Sequence, residues 1–166
     1  MYRILTVCTG NICRSPMAEL MLERAFTEAG IGDQVAVDSA GTTGWELGQP
    51  IDRRAAAKLD SLGISSTRHR ARQFEPDWYA DRDLILALDA DHYTELRDDA
   101  PDPESRAKVR MLREFDPETE GTPTSELGIY DPWFGDESDF ERTWELVDGA
   151  VGGVIDFVRA AINTGK

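Results

Sequence analysis

Strand and helix signals alternate along this 166-residue chain, which predicts an α/β fold built on a four-stranded parallel sheet with helices on both faces. Three observations carry that expectation. The β-branched, apolar run Tyr2 to Val7 passes directly into apolar residues at helical spacing. Leu84-Ile85-Leu86-Ala87-Leu88 is apolar without alternation, and the C-terminal stretch repeats apolar residues along one helical face. A strand covered on both sides has no polar face, so the unbroken run reads as interior and parallel. The length suits a single domain spanning residues 1–166.

Taken in order, Tyr2 to Val7 is the first strand, and Cys8-Thr9-Gly10-Asn11 breaks it. Pro16 stands where a helix begins, and Met17, Leu20, Met21, Ala25 and Phe26 place that helix at about residues 17–29, with Gly30 as its stop. Val35 to Ala40 is a second strand, and Gly41 to Gly48 reads as a mobile loop. Asp52 to Leu62 is helical and ends at Gly63. Lys108 to Leu112 is a fourth strand, polar enough for a sheet edge. Asp116 to Tyr130 lacks periodicity and reads as a long surface loop. The last helix runs from about Ser138 to Ile162 with Phe140, Trp144, Val147, Val151, Ile155 and Val158 inward, locally weakened by Gly152-Gly153.

The net charge is −14, and it is lopsided: the first 74 residues hold nine basic and eight acidic side chains, the remainder nine and twenty-four. Such a field repels nucleic-acid backbones and anionic lipid, so neither is an expected partner. With two cysteines the chain is no disulfide scaffold. The opening apolar run is too short for a signal peptide, and no stretch reaches the roughly 20 apolar residues of a membrane span. The expectation is a cytoplasmic protein.

The chemistry concentrates in Cys8-Thr9-Gly10-Asn11-Ile12-Cys13-Arg14-Ser15, placed between first strand and first helix, where the crevice of an open α/β sheet lies. A loop of this length curls so that backbone N–H groups of Thr9 to Ser15 face one point, an anion nest. The helix N-terminus adds positive potential, and Arg14 adds a fork matching two phosphate oxygens. Gly10 and Asn11 tolerate the left-handed angles a tight curl demands. At the floor, Cys8 meets a field that favours thiolate over thiol, which makes it a nucleophile, and Ser15 can donate to that sulfur. Attack on phosphorus requires an acid for the leaving oxygen, and Asp131 in Tyr130-Asp131-Pro132-Trp133-Phe134 is the candidate, with Trp133 and Phe134 walling a cleft around an aromatic group.

Three blocks, Val7 to Glu19, Asp38-Ser39-Ala40-Gly41-Thr42 and Ala87-Leu88-Asp89, together with Asp131-Pro132, make the chain resemble the low-molecular-weight protein tyrosine phosphatases over nearly its whole length. The resemblance implies that Cys8 forms a phosphocysteine, Arg14 clamps the phosphoryl oxygens, and Asp131 protonates the tyrosine oxygen and then activates water, with no metal or other cofactor. It implies that Asn11 and Ser39 hold the loop in shape, that Trp45 lies in the loop lining the substrate cleft, and that Cys8 and Cys13 can pair reversibly as protection from over-oxidation. Read without the family, Cys13 is equally a small buried hydrophobe. The implied partners are tyrosine-phosphorylated proteins, together with a cognate tyrosine kinase. Two departures stand out. Trp133 and Phe134 replace the two tyrosines of many relatives, which removes control by their phosphorylation, and Ile12 stands where relatives that prefer phosphoarginine tend to carry Thr.

Other signals weigh less. Asp89-Ala90-Asp91 after an apolar strand resembles the Mg²⁺-dependent aspartate phosphatases, with helix capping as the plainer reading. Arg68-His69-Arg70-Ala71-Arg72 reads as a solvated basic face, and His69 and His92 stand alone without metal-ligand spacing. A thioredoxin-coupled arsenate reductase would need cysteines after Cys13, and there are none. A binding or redox-sensing module without turnover remains the non-enzymatic alternative.

Overall fold

The computed structural model describes residues 1–165. Strand β1 (Tyr2–Cys8) runs into helix α1 (Arg14–Glu28), which returns the chain to β2 (Val35–Gly41). Helices α2 (Arg53–Ser61) and α3 (Trp78–Asp81) precede β3 (Leu84–Ala87). Then come α4 (Ala90–Asp99), α5 (Pro103–Lys108), β4 (Val109–Met111) and the long α6 (Glu137–Thr164). The four strands form one parallel sheet in the order β2-β1-β3-β4. As expected, β3 is wholly buried and β4 lies at an edge.

Alternation along the strands divides the core. Ile4, Leu84 and Leu86 face one side and meet Met17, Leu22 and Phe26 of α1 with Phe140, Val147 and Val154 of α6. Leu5, Val7, Ile85 and Ala87 face the other side, against Tyr79 of α3 and Leu96 of α4. Side chains of successive strand residues point to opposite faces, so two layers of helix are needed to keep both dry. The sheet grows from β1 toward β2 and then, on the opposite flank, toward β3. This reversal opens a crevice beyond the carboxyl ends of β1 and β3.

Several expectations are corrected. Helix α1 starts at Arg14, three residues before the predicted start, with Pro16 in its first turn. First-turn amides have no intrahelical acceptor, so proline costs nothing there. The loop after β2 is tied down: Thr42 N–H donates to Cys8 O (2.9 Å), Thr43 N–H to Thr9 O (3.1 Å) and Gly48 N–H to Ala71 O (2.9 Å). Gly152-Gly153 does not interrupt α6. A Cβ on Gly153 would come within 1.9 Å of Phe115 O, so its absence lets the chain before residue 116 pack directly on the helix. Helix α4 follows the capping reading, with Asp89 as its cap, whereas α3 and α5 are too short to announce themselves, although Asp102 caps α5 in the same way. The stretch 116–130 contains only short 3₁₀ turns, at residues 117–119 and 124–126, as the missing periodicity implied. Among the described residues no helix is long and apolar enough to cross a membrane.

Candidate active site

At the crevice the chain leaves β1 at Cys8, curls, and enters α1 at Arg14. The curl turns on Asn11, the one non-glycine residue with positive φ (60°) among the described residues. Asn tolerates this left-handed region better than other side chains, since its short amide can bond locally. Asn11 is completely buried. Its Nδ2 donates to Ser15 Oγ and to Ser39 Oγ (2.8 Å each), its Oδ1 accepts from Arg72 N–H (2.9 Å), and its carbonyl meets His69 Nε2 at 2.7 Å. Gly10 does not adopt the left-handed angles expected of it; its lack of a side chain serves a close approach, since a Cβ would lie 3.2 Å from Glu46 Cγ. Gly41 matters more, because a Cβ there would come within 2.5 Å of Thr9 O.

Helix α1 takes up its first amide at Met17 (to Cys13 O, 3.2 Å), and among the described residues no protein acceptor engages the amides of residues 10–15. Open amides at a helix N-terminus suit an anion. Within the curl, Cys8 Sγ lies 3.0 Å from Ser15 Oγ, buried beneath the loop.

Arg14 is almost entirely buried. Its Nη1 donates to Asp89 Oδ2 (2.8 Å) and Ile129 O (3.0 Å), and its Nη2 donates to Thr9 Oγ1 (3.3 Å) and lies 3.5 Å from Asp131 Oδ2. Its Nε is buried with no partner. An unpaired guanidinium N–H in a dry site is costly, and a bound oxyanion would satisfy it. Asp89 is the ion-pair partner. Burial opposes its charge, but the contacts it receives from the His92 ring and backbone N–H, and then the Arg14 guanidinium, outweigh burial and bring its pKa down to about 2. Asp89 therefore caps α4 and holds Arg14, and no magnesium-ligand role is needed to explain it.

The cleft above the loop holds about 270 Å³. Its floor is Cys8, Thr9, Gly10, Ile12, Cys13 and Arg14, and its walls are Trp45, Glu46, Asp131, Trp133 and Phe134. Trp45 is 80% exposed at the rim, and Trp133 and Phe134 meet edge to face. Of the residues expected to bind substrate, Asn11 and Ser15 keep their side chains out of the cleft and support it from beneath. Asp131 caps the 3₁₀ turn Pro132–Phe134 by accepting from Trp133 N–H (3.1 Å), which aims the other carboxylate oxygen at Arg14. Arg54 fastens this turn, donating to Trp133 O (3.2 Å) and Gly135 O (2.9 Å) while Asp52 holds the guanidinium from the other side. Asp52 N–H in turn donates to Ile12 O (2.8 Å), which links the turn to the phosphate-sized loop.

Cys8 and Cys13 are both free, buried thiols. Burial first, then the Asp52 carboxylate, pushes the Cys13 thiol well above its ordinary range, which disfavours its thiolate. The expectation of a solvated basic face at residues 68–72 holds for the exposed Arg68, Arg70 and Arg72 and fails for His69, which turns inward. His69 is buried against Asn11, Arg68 pairs with Glu23, and Arg72 pairs with Asp38 and stacks on Trp78. Sequence reading missed Asp89, His92, His69, Arg54 and Asp52 as parts of the site. The Asp-x-x-His spacing at the start of α4 was the one local signal available.

The family model for low molecular weight phosphotyrosine protein phosphatase matches residues 3–163. The chain is similar to a low molecular weight protein-tyrosine-phosphatase of Streptomyces coelicolor, 44% identical over 97% of this chain and 96% of the relative. It is 45% identical to low molecular weight protein-tyrosine phosphatase A of Mycobacterium tuberculosis over 92% and 88% of the two chains. Among solved structures it is similar to a protein tyrosine phosphatase from Entamoeba histolytica, with a TM-score of 0.87 and 28% identity over 97% of this chain and 99% of that one. Sequence, sheet order and the loop at the end of β1 agree, and the chain belongs to the low-molecular-weight phosphotyrosine protein phosphatase family.

Proposed function

We propose that this protein hydrolyses phosphotyrosine in proteins, and small aryl phosphates, through a phosphocysteine on Cys8. The observation that carries the reading is the joint placement, at one cleft, of a sulfur under open amides, a buried arginine with an unpaired Nε, and a carboxylate beside it. The Cys8 thiolate attacks phosphorus while Arg14 and the amides of Thr9 to Ser15 hold the equatorial oxygens. The bond from phosphorus to the tyrosine oxygen breaks, its electron pair stays on oxygen, and Asp131 supplies the proton. The Asp131 carboxylate then takes a proton from water, water attacks phosphorus, and the sulfur leaves with its electron pair, steadied by the Ser15 hydroxyl 3.0 Å away. Trp45, Trp133 and Phe134 form the wall for the aryl ring.

On this reading residues 1–166 form one catalytic domain working in the cytoplasm on tyrosine-phosphorylated proteins, against the action of a tyrosine kinase. The test is Cys8→Ser. Turnover of p-nitrophenyl phosphate is expected to vanish while inorganic phosphate still raises the melting temperature, and near-normal turnover in that variant would remove Cys8 as nucleophile.

A further inference from the structure

His92 stood alone in the sequence, yet it lies buried on the first turn of α4 with both ring nitrogens aimed at the site. Its Nε2 is 3.0 Å from Thr9 Oγ1 and its Nδ1 is 2.7 Å from Asp89 Oδ2. Those same two atoms receive the two amino groups of Arg14, Nη2 on Thr9 Oγ1 at 3.3 Å and Nη1 on Asp89 Oδ2 at 2.8 Å. We propose that His92 is a positioning residue for the phosphatase reaction: its imidazole closes a circuit through Thr9 and Asp89 that fixes the Arg14 guanidinium for the phosphoryl group. The proposal rests on the phosphatase reading above.

Proton counting gives the circuit a direction. Arginine only donates and carboxylate only accepts, so Nη1 and Nη2 must donate to Asp89 and Thr9. The single Thr9 hydroxyl proton is then free for a lone pair on His92 Nε2, and the ring proton of neutral His92 must sit on Nδ1. The opposite tautomer would set a bare Nδ1 lone pair 2.7 Å from a carboxylate oxygen, which is repulsive. Nδ1 approaches Asp89 off the line of a straight hydrogen bond, so this side of the circuit acts as a short electrostatic contact. The capping of α4 does not explain the ring, because the cap uses the His92 backbone N–H, 2.9 Å from Asp89 Oδ1, and any side chain would retain it. With Nη1 and Nη2 both tethered, the guanidinium cannot rotate, and its unpaired Nε keeps a fixed direction.

The test uses the full chain with His92→Ala, His92→Gln, Thr9→Val and the His92→Ala/Thr9→Val double variant. In His92→Ala, kcat/KM for p-nitrophenyl phosphate, per folded protein, should fall between about tenfold and a hundredfold. Vanadate, which takes the five-coordinate shape of the transition state, should lose more affinity than inorganic phosphate. The double variant should be little worse than the worse single one, because both break one circuit. Nitrogen-15 spectra of the wild-type imidazole, recorded where the ring is neutral, should show the proton on Nδ1, a readout that needs no variant to fold. A kcat/KM in both His92 variants within twofold of wild type, equal losses for vanadate and phosphate, additive losses, or a proton on Nε2 would each overturn the proposal. If the wild-type protein fails to hydrolyse aryl phosphates, the phosphatase reading falls, while the tautomer and phosphate affinity still decide the circuit.

Discussion

The loop around Cys8 and the turn that carries Asp131 face one another across the cleft, and they are held in opposite ways. In and beneath the loop, Asn11, Ser15 of α1, Ser39 of β2 and Thr6 of β1 are buried and bonded to each other or to backbone, with Thr6 Oγ1 donating to Ser15 O at 2.8 Å. The turn at residues 130–135 exposes Tyr130, Trp133 and Phe134, and is fixed by Asp131's own cap and by Arg54 reaching two of its carbonyls. The difference follows from what each must accommodate. Phosphate has one shape, so the groups around it profit from being over-determined, whereas protein substrates differ around the tyrosine and need an open rim.

Removing the carboxyl from the exposed turn should give the largest effect. Asp131→Ala should lower kcat by roughly 10²–10⁴, and more for aryl phosphates whose leaving group is more basic. Equal losses across a leaving-group series would show that the turn only shapes the rim. On the buried side, Asn11→Ala should act first on stability. It strands Arg72 N–H and forces alanine into the left-handed region, together about 2–4 kcal/mol in urea unfolding, with lost activity as a consequence. A variant as stable as wild type would mean the loop is shaped from elsewhere.

Acid provides a gentler probe of the buried side. The pKa of Asp89 lies at about 2 in the folded protein against a usual 3.8, so its charged form stabilises the fold above about pH 4, and that contribution is lost as pH falls from 4 toward 2. The shift corresponds to about 2 kcal/mol. The stability gap between wild type and Asp89→Asn should therefore narrow across this window, and a gap constant from pH 6 to pH 2 would show that the Asp89 charge, with its His92 and Arg14 contacts, does not stabilise the fold. The smallest effect is expected at the staple of the turn. Arg54→Ala should reduce kcat about threefold to tenfold for poor leaving groups while leaving phosphate affinity intact, since it touches Asp131's turn and not the oxyanion cradle. A loss confined to phosphate affinity would reverse that assignment.

Much of the site was legible because it is local. Cys8 to Ser15 is contiguous, sits between a strand and a helix, and contains the proposed nucleophile, the buried arginine and the residue that takes the left-handed turn. Asp131 is marked by its Pro-Trp-Phe neighbours. The residues that orient these groups were not legible, because their partners are remote: Asp89 lies 75 residues from Arg14, His92 lies 83 from Thr9, His69 lies 58 from Asn11, and Gly135 lies 81 from Arg54. Pairs at such separations leave no periodicity and no spacing motif. Gly152-Gly153 shows the same limit in reverse, since helix propensity marks a weak point where packing against Phe115 needs a missing side chain.

From the order of residues alone came the parallel α/β architecture, the turn after β1 and the three groups to which we assign the chemistry, because backbone propensity, burial pattern and local turn geometry act over a few residues. Only the folded chain decided which carboxylate restrains Arg14, which histidines brace the loop and what anchors the Asp131 turn. Those choices depend on the sheet order β2-β1-β3-β4, which brings the ends of β1 and β3 together and lets charges far apart in the chain meet out of water, where their interaction is strongest.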